Sequence, residues 1–119
     1  MNKSDDLTNL LTLEPPPPVD GYVFVYILAC LDGALYIGRA SDLVRRLKEH
    51  GEPKGAKFTR DHPGGRLVYF EGPFLIEQAP KRERQLKRWS RAKKLALVQN
   101  QIGLLRKLSQ SRESPFGAP

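Results

Sequence analysis

Within the stretch LYIGRASDLVRRLKEH, residues 35–50, lie a tyrosine, three arginines and a histidine. Arg46 and His50 are four residues apart on a helical pattern and so face the same way, while Leu43 and Leu47 share a different face suited to a core. Both polar residues follow soon after Gly38, whose bare backbone lets a ligand approach. Further along, KRERQLKRWSRAKK, residues 81–94, is strongly basic with a single acid, Glu83. Basic side chains clustered on a helix form a phosphate-binding surface. A lone carboxylate among them can hold Mg²⁺ or Mn²⁺, because hard divalent cations often use one or two carboxylates plus water and substrate phosphate. Glu83 also stands four residues before Lys87, the spacing of an ordinary helix ion pair, and spacing alone favours that reading.

Two more candidates, Tyr26 and Tyr36, sit on strand-like runs either side of an Asp-Gly turn at Asp32 and Gly33. Side chains alternate along a strand, so the length of the loop decides whether the tyrosines share a face. A two-residue loop pairs 29 with 36 and separates them. A three-residue loop or a bulge shifts the count by one and brings them together. A shared site therefore requires an odd-count loop. Without one, each tyrosine is simply a sheet aromatic with its hydroxyl at the rim.

The elements that must position these residues are short. YVFVYILAC, residues 22–30, is β-branched and aromatic, a strand buried on both faces. LYIG is the second strand of a hairpin. Ser41 or Asp42 caps a helix, DLVRRLKEH, that Gly51 ends. GRLVYFEG, residues 65–72, reads as a third strand, and the segment from Pro73 to Gln99 as helical with interruptions. Pro80 marks a boundary or a first helical turn. Leu86, Trp89 and Ala92 recur every three residues, an apolar stripe for docking on the sheet. The order hairpin, helix, strand, helices predicts a small α+β domain over residues 21–100. Residues 1–20 end in four prolines and read as a disordered tail; residues 101–119 read as a C-terminal helix and disordered tail.

The totals narrow the classes. A chain of 119 residues supports one compact domain. A net charge of +7 favours polyanionic partners, nucleic acid or an anionic surface. The single cysteine, Cys30, excludes an intrachain disulfide and a thiolate metal cage, and fits a reducing cytoplasm. It lies in an apolar run as a small core residue. No window approaches the ~18 apolar residues of a membrane span, and no signal peptide is apparent. The loop GEPKGAKFTRDHPGG carries Lys54, Lys57, Thr59 and Arg60, and its length and charge suit contact with a partner; His62, before Pro63, reads as a loop residue.

Taken together, VYI at 25–27, YIG at 36–38, DLVRRLKEH at 42–50 and Glu83 in RERQLK resemble the GIY-YIG endonuclease domain. The wider run from YVFVYILACLDGALYIG through GAKFTR to RERQLKRWSRAKKLALV is similar to its small standalone bacterial branch, over roughly residues 21–98. The first signature keeps only its tyrosine, Tyr26; Phe24 and Val25 replace the glycine and isoleucine. Arg39 stands where some relatives carry a lysine.

The resemblance implies a three-stranded antiparallel sheet flanked by helices and hydrolysis of a DNA phosphodiester with one divalent cation, Mg²⁺ or Mn²⁺. It implies that Glu83 binds the metal and that Tyr26 and Tyr36 lie beside the scissile phosphate. One tyrosine helps deprotonate the attacking water and the other orients water or phosphate. Arg46 stabilises phosphate charge, with Arg39 and His50 assisting. A free tyrosine is a poor base at neutral pH, so neighbouring arginines and the metal are expected to favour the phenolate. Gly38, Arg45, Lys57, Thr59, Arg60, Arg84, Lys87, Arg88 and Arg91 are the expected DNA contacts. The role expected is DNA repair or processing of structured DNA, with RNA an open alternative substrate. A lone site cuts one strand per event, so targeting or double-strand cleavage calls for a protein partner or dimerisation. The competing reading is a nucleic-acid-binding module on the same fold without catalysis.

Overall fold

The computed structural model describes residue 7, residues 9–50 and residues 64–99, with nothing said of the His50 side chain. The chain divides into two compact units, residues 1–87 and 88–119.

In the first unit, the strands β1 (Tyr22–Ala29), β2 (Leu35–Ala40) and β3 (Arg66–Leu75) form an antiparallel sheet in the order β2-β1-β3. The central place of β1 explains its unbroken apolar sequence: Phe24 to Cys30 are all buried. Helix α1 (Leu43–His50) follows β2, and helix α2 (Ala79–Arg88) follows β3. Both edge-ward strands run further than their apolar cores suggest. β2 takes in Arg39 and Ala40, which pair with Val25 and Phe24. β3 takes in Phe74 and Leu75, which pair with Val23 and Tyr22, so the helical segment expected from Pro73 begins only at Ala79. Pro80 lies in the first turn of α2.

The hairpin is built as a shared tyrosine site requires. Cys30 N–H donates to Ala34 O and Gly33 N–H to Cys30 O, both at 2.9 Å, leaving Leu31, Asp32 and Gly33 as a three-residue loop. Gly33 has φ +89°, the left-handed position this loop needs and glycine supplies without a Cβ penalty. The Asp32 carboxylate accepts the Ala34 N–H at 3.0 Å. The odd count pairs Tyr26 with Gly38 and Leu28 with Tyr36, which sets both tyrosines on one face.

That face is the main core. Phe24, Tyr26, Leu28, Ala40, Leu43 and Leu67 cluster there, with Leu13, Tyr36, Leu47 and Phe70 packed against them. α1 delivers Leu43 and Leu47, as the four-residue spacing predicts. Its N-cap is Asp42, whose carboxylate accepts the Arg45 N–H at 3.1 Å. α2 is fastened to the opposite face, where the row Arg39, Val25, Glu71 crosses the sheet. Arg82 pairs with Glu71 of β3, and Glu83 with Arg39 of β2.

The segment before β1 is attached at residue 7 and over residues 10–13. Arg66 donates to Leu7 O and Leu10 O at 2.7 Å and to Thr12 Oγ1 at 2.9 Å, and Leu13 N–H donates to Leu67 O at 2.8 Å. Leu7 and Leu10 are buried. One long cation, in effect, satisfies a strand-end chain that has no ladder of its own.

The second unit opens on a break that the basic pattern over 81–94 does not announce. Ser90 is extended, with φ −64° and ψ 159°, and its hydroxyl accepts the Lys93 N–H at 3.1 Å, capping helix α3 (Arg91–Val98). The stripe of Leu86, Trp89 and Ala92 is thereby cut. Leu86 is fully buried in α2, whereas Ala92 is exposed in α3. The buried face of α2 is instead Ala79, Glu83 and Leu86, so the acid lies on the inward stripe. Within α3, Ala96 and Leu97 are buried, and Lys93 Nζ stands 4.2 Å from the centroid of the Trp89 ring.

Candidate functional site

The first cluster is built on Tyr26, Tyr36, Gly38 and Arg46. The tyrosine rings lie 6.1 Å apart, tilted by 48°. A Cβ added at Gly38 would stand 2.7 Å from the Tyr26 hydroxyl and 3.0 Å from Cε1 of Tyr36. The space above Gly38, expected to admit a ligand, is therefore filled by the protein's own tyrosines. The glycine lets two large rings converge on a strand backbone.

Tyr26 is wholly buried, while Tyr36 retains some exposure. Burial pushes the Tyr26 phenol far above its ordinary value, and the neighbouring Tyr36 adds to this. Arg46, by charge and hydrogen bonding, pulls the other way without prevailing. Arg46 thus favours the phenolate as expected, but desolvation outweighs it and the Tyr26 hydroxyl stays protonated. Arg46 is half-exposed, with Nε 3.4 Å from Glu49 Oε1; Arg45, on the outer side of α1, has Nε 3.7 Å from the same carboxylate.

The second cluster centres on Glu83, one-tenth exposed. Arg39 Nη1 donates to Oε1, and Lys87 Nζ stands 2.9 Å from Oε2. The helix ion pair foreseen from the four-residue spacing is present, joined by an arginine from a strand 44 residues away. Burial alone would raise the Glu83 carboxyl. The hydrogen bonds and charges of Lys87 and Arg39 outweigh it and hold the group below the usual carboxylate range.

Among the described residues, no group of three or more His, Cys, Asp or Glu side chains could form a metal cage. The donor set fits a different kind of site. Glu83 is one ionised oxygen donor on a helix, and a hydrated Mg²⁺ or Mn²⁺, which often takes only one or two carboxylates plus water and phosphate, would be held through it. Arg39 follows Gly38 directly on edge strand β2, so the two clusters join through adjacent residues on opposite faces.

The other candidates divide plainly. Arg84, Lys87 and Arg88 are exposed on α2, and Arg91 is half-exposed in α3. Lys54, Lys57, Thr59, Arg60 and His62, and the His50 side chain, lie outside the described residues. Cys30 is buried, its thiol pushed up to about 11 by burial and then by Asp32.

A third group was not foreseen. The Tyr69 hydroxyl donates to Glu71, whose carboxylate also receives Arg82, with Nη2 at 3.1 Å from Oε2; Arg82 Nη1 reaches Gln85 Oε1 at 2.7 Å. Burial, then the Glu71 bond and charge, raise the Tyr69 phenol against the pull of Arg82. Strand alternation puts Tyr69 and Glu71 on one face, a signal present in the sequence. Their partner on α2 was not. This group locks α2 to β3 one residue from Glu83.

Known proteins resemble this chain over the same region. The family model described as the GIY-YIG catalytic domain matches residues 22–96. A UPF0213 protein of Staphylococcus aureus (strain Mu3) is 43% identical over 75 residues, covering 63% of this chain and 92% of the relative. A UPF0213 protein of Staphylococcus saprophyticus is 41% identical over the same shares. The solution NMR structure of a UPF0213 protein from Bacillus halodurans is 43% identical, with a TM-score of 0.43 over 65% of this chain and 82% of that one.

Proposed function

Because the chain belongs to the GIY-YIG family, a nuclease superfamily, in its small standalone UPF0213 branch, we propose that it is a divalent-metal-dependent DNA endonuclease. The observation that carries this reading is the convergence of Tyr26, Tyr36 and Arg46 around Gly38, with the ionised Glu83 tied to the next residue along the strand. A pure binding surface needs cations; it does not need two tyrosines packed over a glycine, nor a carboxylate kept ionised on a helix's inward face.

The scissile phosphate sits at the β2 edge, reached by Arg46 and Tyr36 from one face and by Glu83 from the other. A divalent cation, when bound through Glu83, would acidify water and polarise the phosphoryl oxygen. Arg46 offers its guanidinium to the charge that grows on phosphate oxygens in the transition state. Tyr26, buried and protonated, accepts from Arg46 and packs against Tyr36, which holds the two in register. Tyr36, the partly exposed member, is where water can lodge and pass on its proton. Water adds to phosphorus as its proton passes to the Tyr36 oxygen, the P–O ester bond breaks, and the proton that Tyr36 gives up in exchange is relayed to the departing oxygen. Lys81, Arg84 and Arg88, exposed on α2, bind the DNA backbone without reading bases. DNA repair or processing of structured DNA is the setting proposed, with targeting by a partner or dimerisation.

Cleavage of labelled single-stranded, duplex and branched DNA, and of matched RNA, with Mg²⁺ or Mn²⁺ tests the reading beside Glu83→Gln. Metal-dependent DNA cutting that the substitution removes, in a protein still folded by circular dichroism, supports it. Salt-sensitive DNA binding by both proteins with no cutting by either would instead establish the binding module.

A further inference from the structure

We propose that Arg39 and Lys87 form a cation clamp that closes Glu83 to metal until nucleic acid draws the two side chains away, so that substrate loads ahead of the divalent cation. The inference rests on the reading of Glu83 as the metal ligand.

Both carboxylate oxygens are engaged, Oε1 by Arg39 and Oε2 by Lys87 at 2.9 Å. A lone helix ion pair would leave one oxygen open. Here the second cation comes from β2 and closes it. A divalent cation approaching Glu83 meets two positive charges already seated on its ligand, and must displace at least one. The three members differ in exposure. The Glu83 side chain is 10% exposed on the buried stripe of α2, while Arg39 and Lys87 are 49% and 55% exposed. The anion is held by the fold; the cations are the ends of long side chains at the surface, free to turn to another anion.

The anion available is the nucleic-acid backbone. Lys81 and Arg84 stand exposed on the same helix and draw phosphates to it. A phosphate that takes Arg39 or Lys87 vacates an oxygen of Glu83 and removes a repelling charge from its neighbourhood. The coupling is reciprocal: metal on Glu83 frees the two cations for phosphate. The device keeps a hydrolytic metal site closed in the absence of substrate.

Mn²⁺ binding to the full chain, followed by the electron paramagnetic resonance signal of the free ion, tests this in wild type, Arg39→Met, Lys87→Met, the double variant and Glu83→Gln. Thermal melts confirm that each is folded. The expected result is weak binding by wild type, tightened about 5- to 10-fold by either methionine substitution, within the usual range of coupling factors, and lost in Glu83→Gln. A short duplex with phosphorothioate linkages, which keep the charge and slow hydrolysis, should tighten Mn²⁺ binding by wild type by a larger factor than by the double variant, which gains only the phosphate ligand and has no clamp to open. The Glu83→Gln protein with the same duplex supplies the Mn²⁺ held by DNA alone. Glu83-dependent binding that is equal in wild type and both methionine variants, with or without duplex, overturns the clamp and leaves Glu83 a metal ligand. Binding indifferent to Glu83→Gln, or none in any protein with or without duplex, overturns both the clamp and the metal reading beneath it.

Discussion

On one face of the sheet Tyr26 is sealed from water, its hydroxyl against Gly38 and within reach of Tyr36 and Arg46. On the other face Glu83 is nearly as buried, yet it stays ionised because two half-exposed cations hold it. Burial acts on both groups in the same sense, toward the neutral form. At Tyr26 it prevails, since one guanidinium shared with Glu49 does not offset full desolvation. At Glu83 it loses to two cations bonded directly to the two oxygens. The tyrosine face is therefore arranged mainly by packing. The carboxylate face is arranged by exchangeable charge and should respond to pH, salt and polyanions.

The largest effects should come from taking the chemistry out of the tyrosine face. Tyr36→Phe is expected to slow DNA cleavage by ~10²–10⁴-fold, the usual share of a proton-transfer residue. Arg46→Ala should slow it by ~10²–10³-fold, as loss of one charge-stabilising donor does. Single-turnover rates at saturating protein should carry both losses while Mn²⁺ affinity stays unchanged. A parallel loss of Mn²⁺ affinity would erase the distinction between the faces. Leu43→Ala removes a fully buried side chain from the core beneath the tyrosines and should destabilise the fold by about 2–5 kcal/mol in urea unfolding.

Gly38→Ala sharpens the comparison at smaller cost. The new Cβ meets Tyr26 within a packed core, and displacing it should destabilise the protein by about 1–3 kcal/mol. Cleavage should fall more than stability explains, because the tyrosines themselves must move. Restored cleavage in Gly38→Ala at wild-type rate would show that the close approach is only packing.

Acid should weaken the carboxylate face alone. Glu83 has a folded-state pKa below its unfolded value, so its contribution to stability is present above the unfolded pKa, near 4.3–4.5, and lost as pH falls through the folded one. Melting temperatures of wild type and Glu83→Gln should differ most near neutrality and draw together as pH falls below the unfolded value and through the lower folded one. A gap that persists in acid would assign the stabilisation to packing. The smallest effect concerns Cys30. Its buried thiol, held up to about 11, should react with a thiol reagent at pH 8 far more slowly than the same residue in the urea-unfolded chain.

Much of the scaffold was legible because its causes are local. The Asp-Gly turn, the Asp42 cap, the leucines four apart on α1 and the Glu83–Lys87 pair each follow from a few neighbouring residues. The Ser90 cap was equally local but was hidden under a basic pattern that ran through it. The tyrosines could be stated only as a condition on loop parity, since one residue more or less exchanges the faces of a strand.

The sequence by itself determined a small basic α+β domain, its hairpin, and the family signature that Tyr26, Tyr36, Arg46 and Glu83 carry. Tertiary structure decided the rest. It buried Tyr26 so that its hydroxyl keeps its proton, brought Arg39 to Glu83, set Tyr69 and Glu71 against Arg82, and used Arg66 to hold the segment before β1. These are pairings between residues far apart along the chain. Their partners, and the water they exclude, are set by register and helix docking, which no spacing within one element specifies.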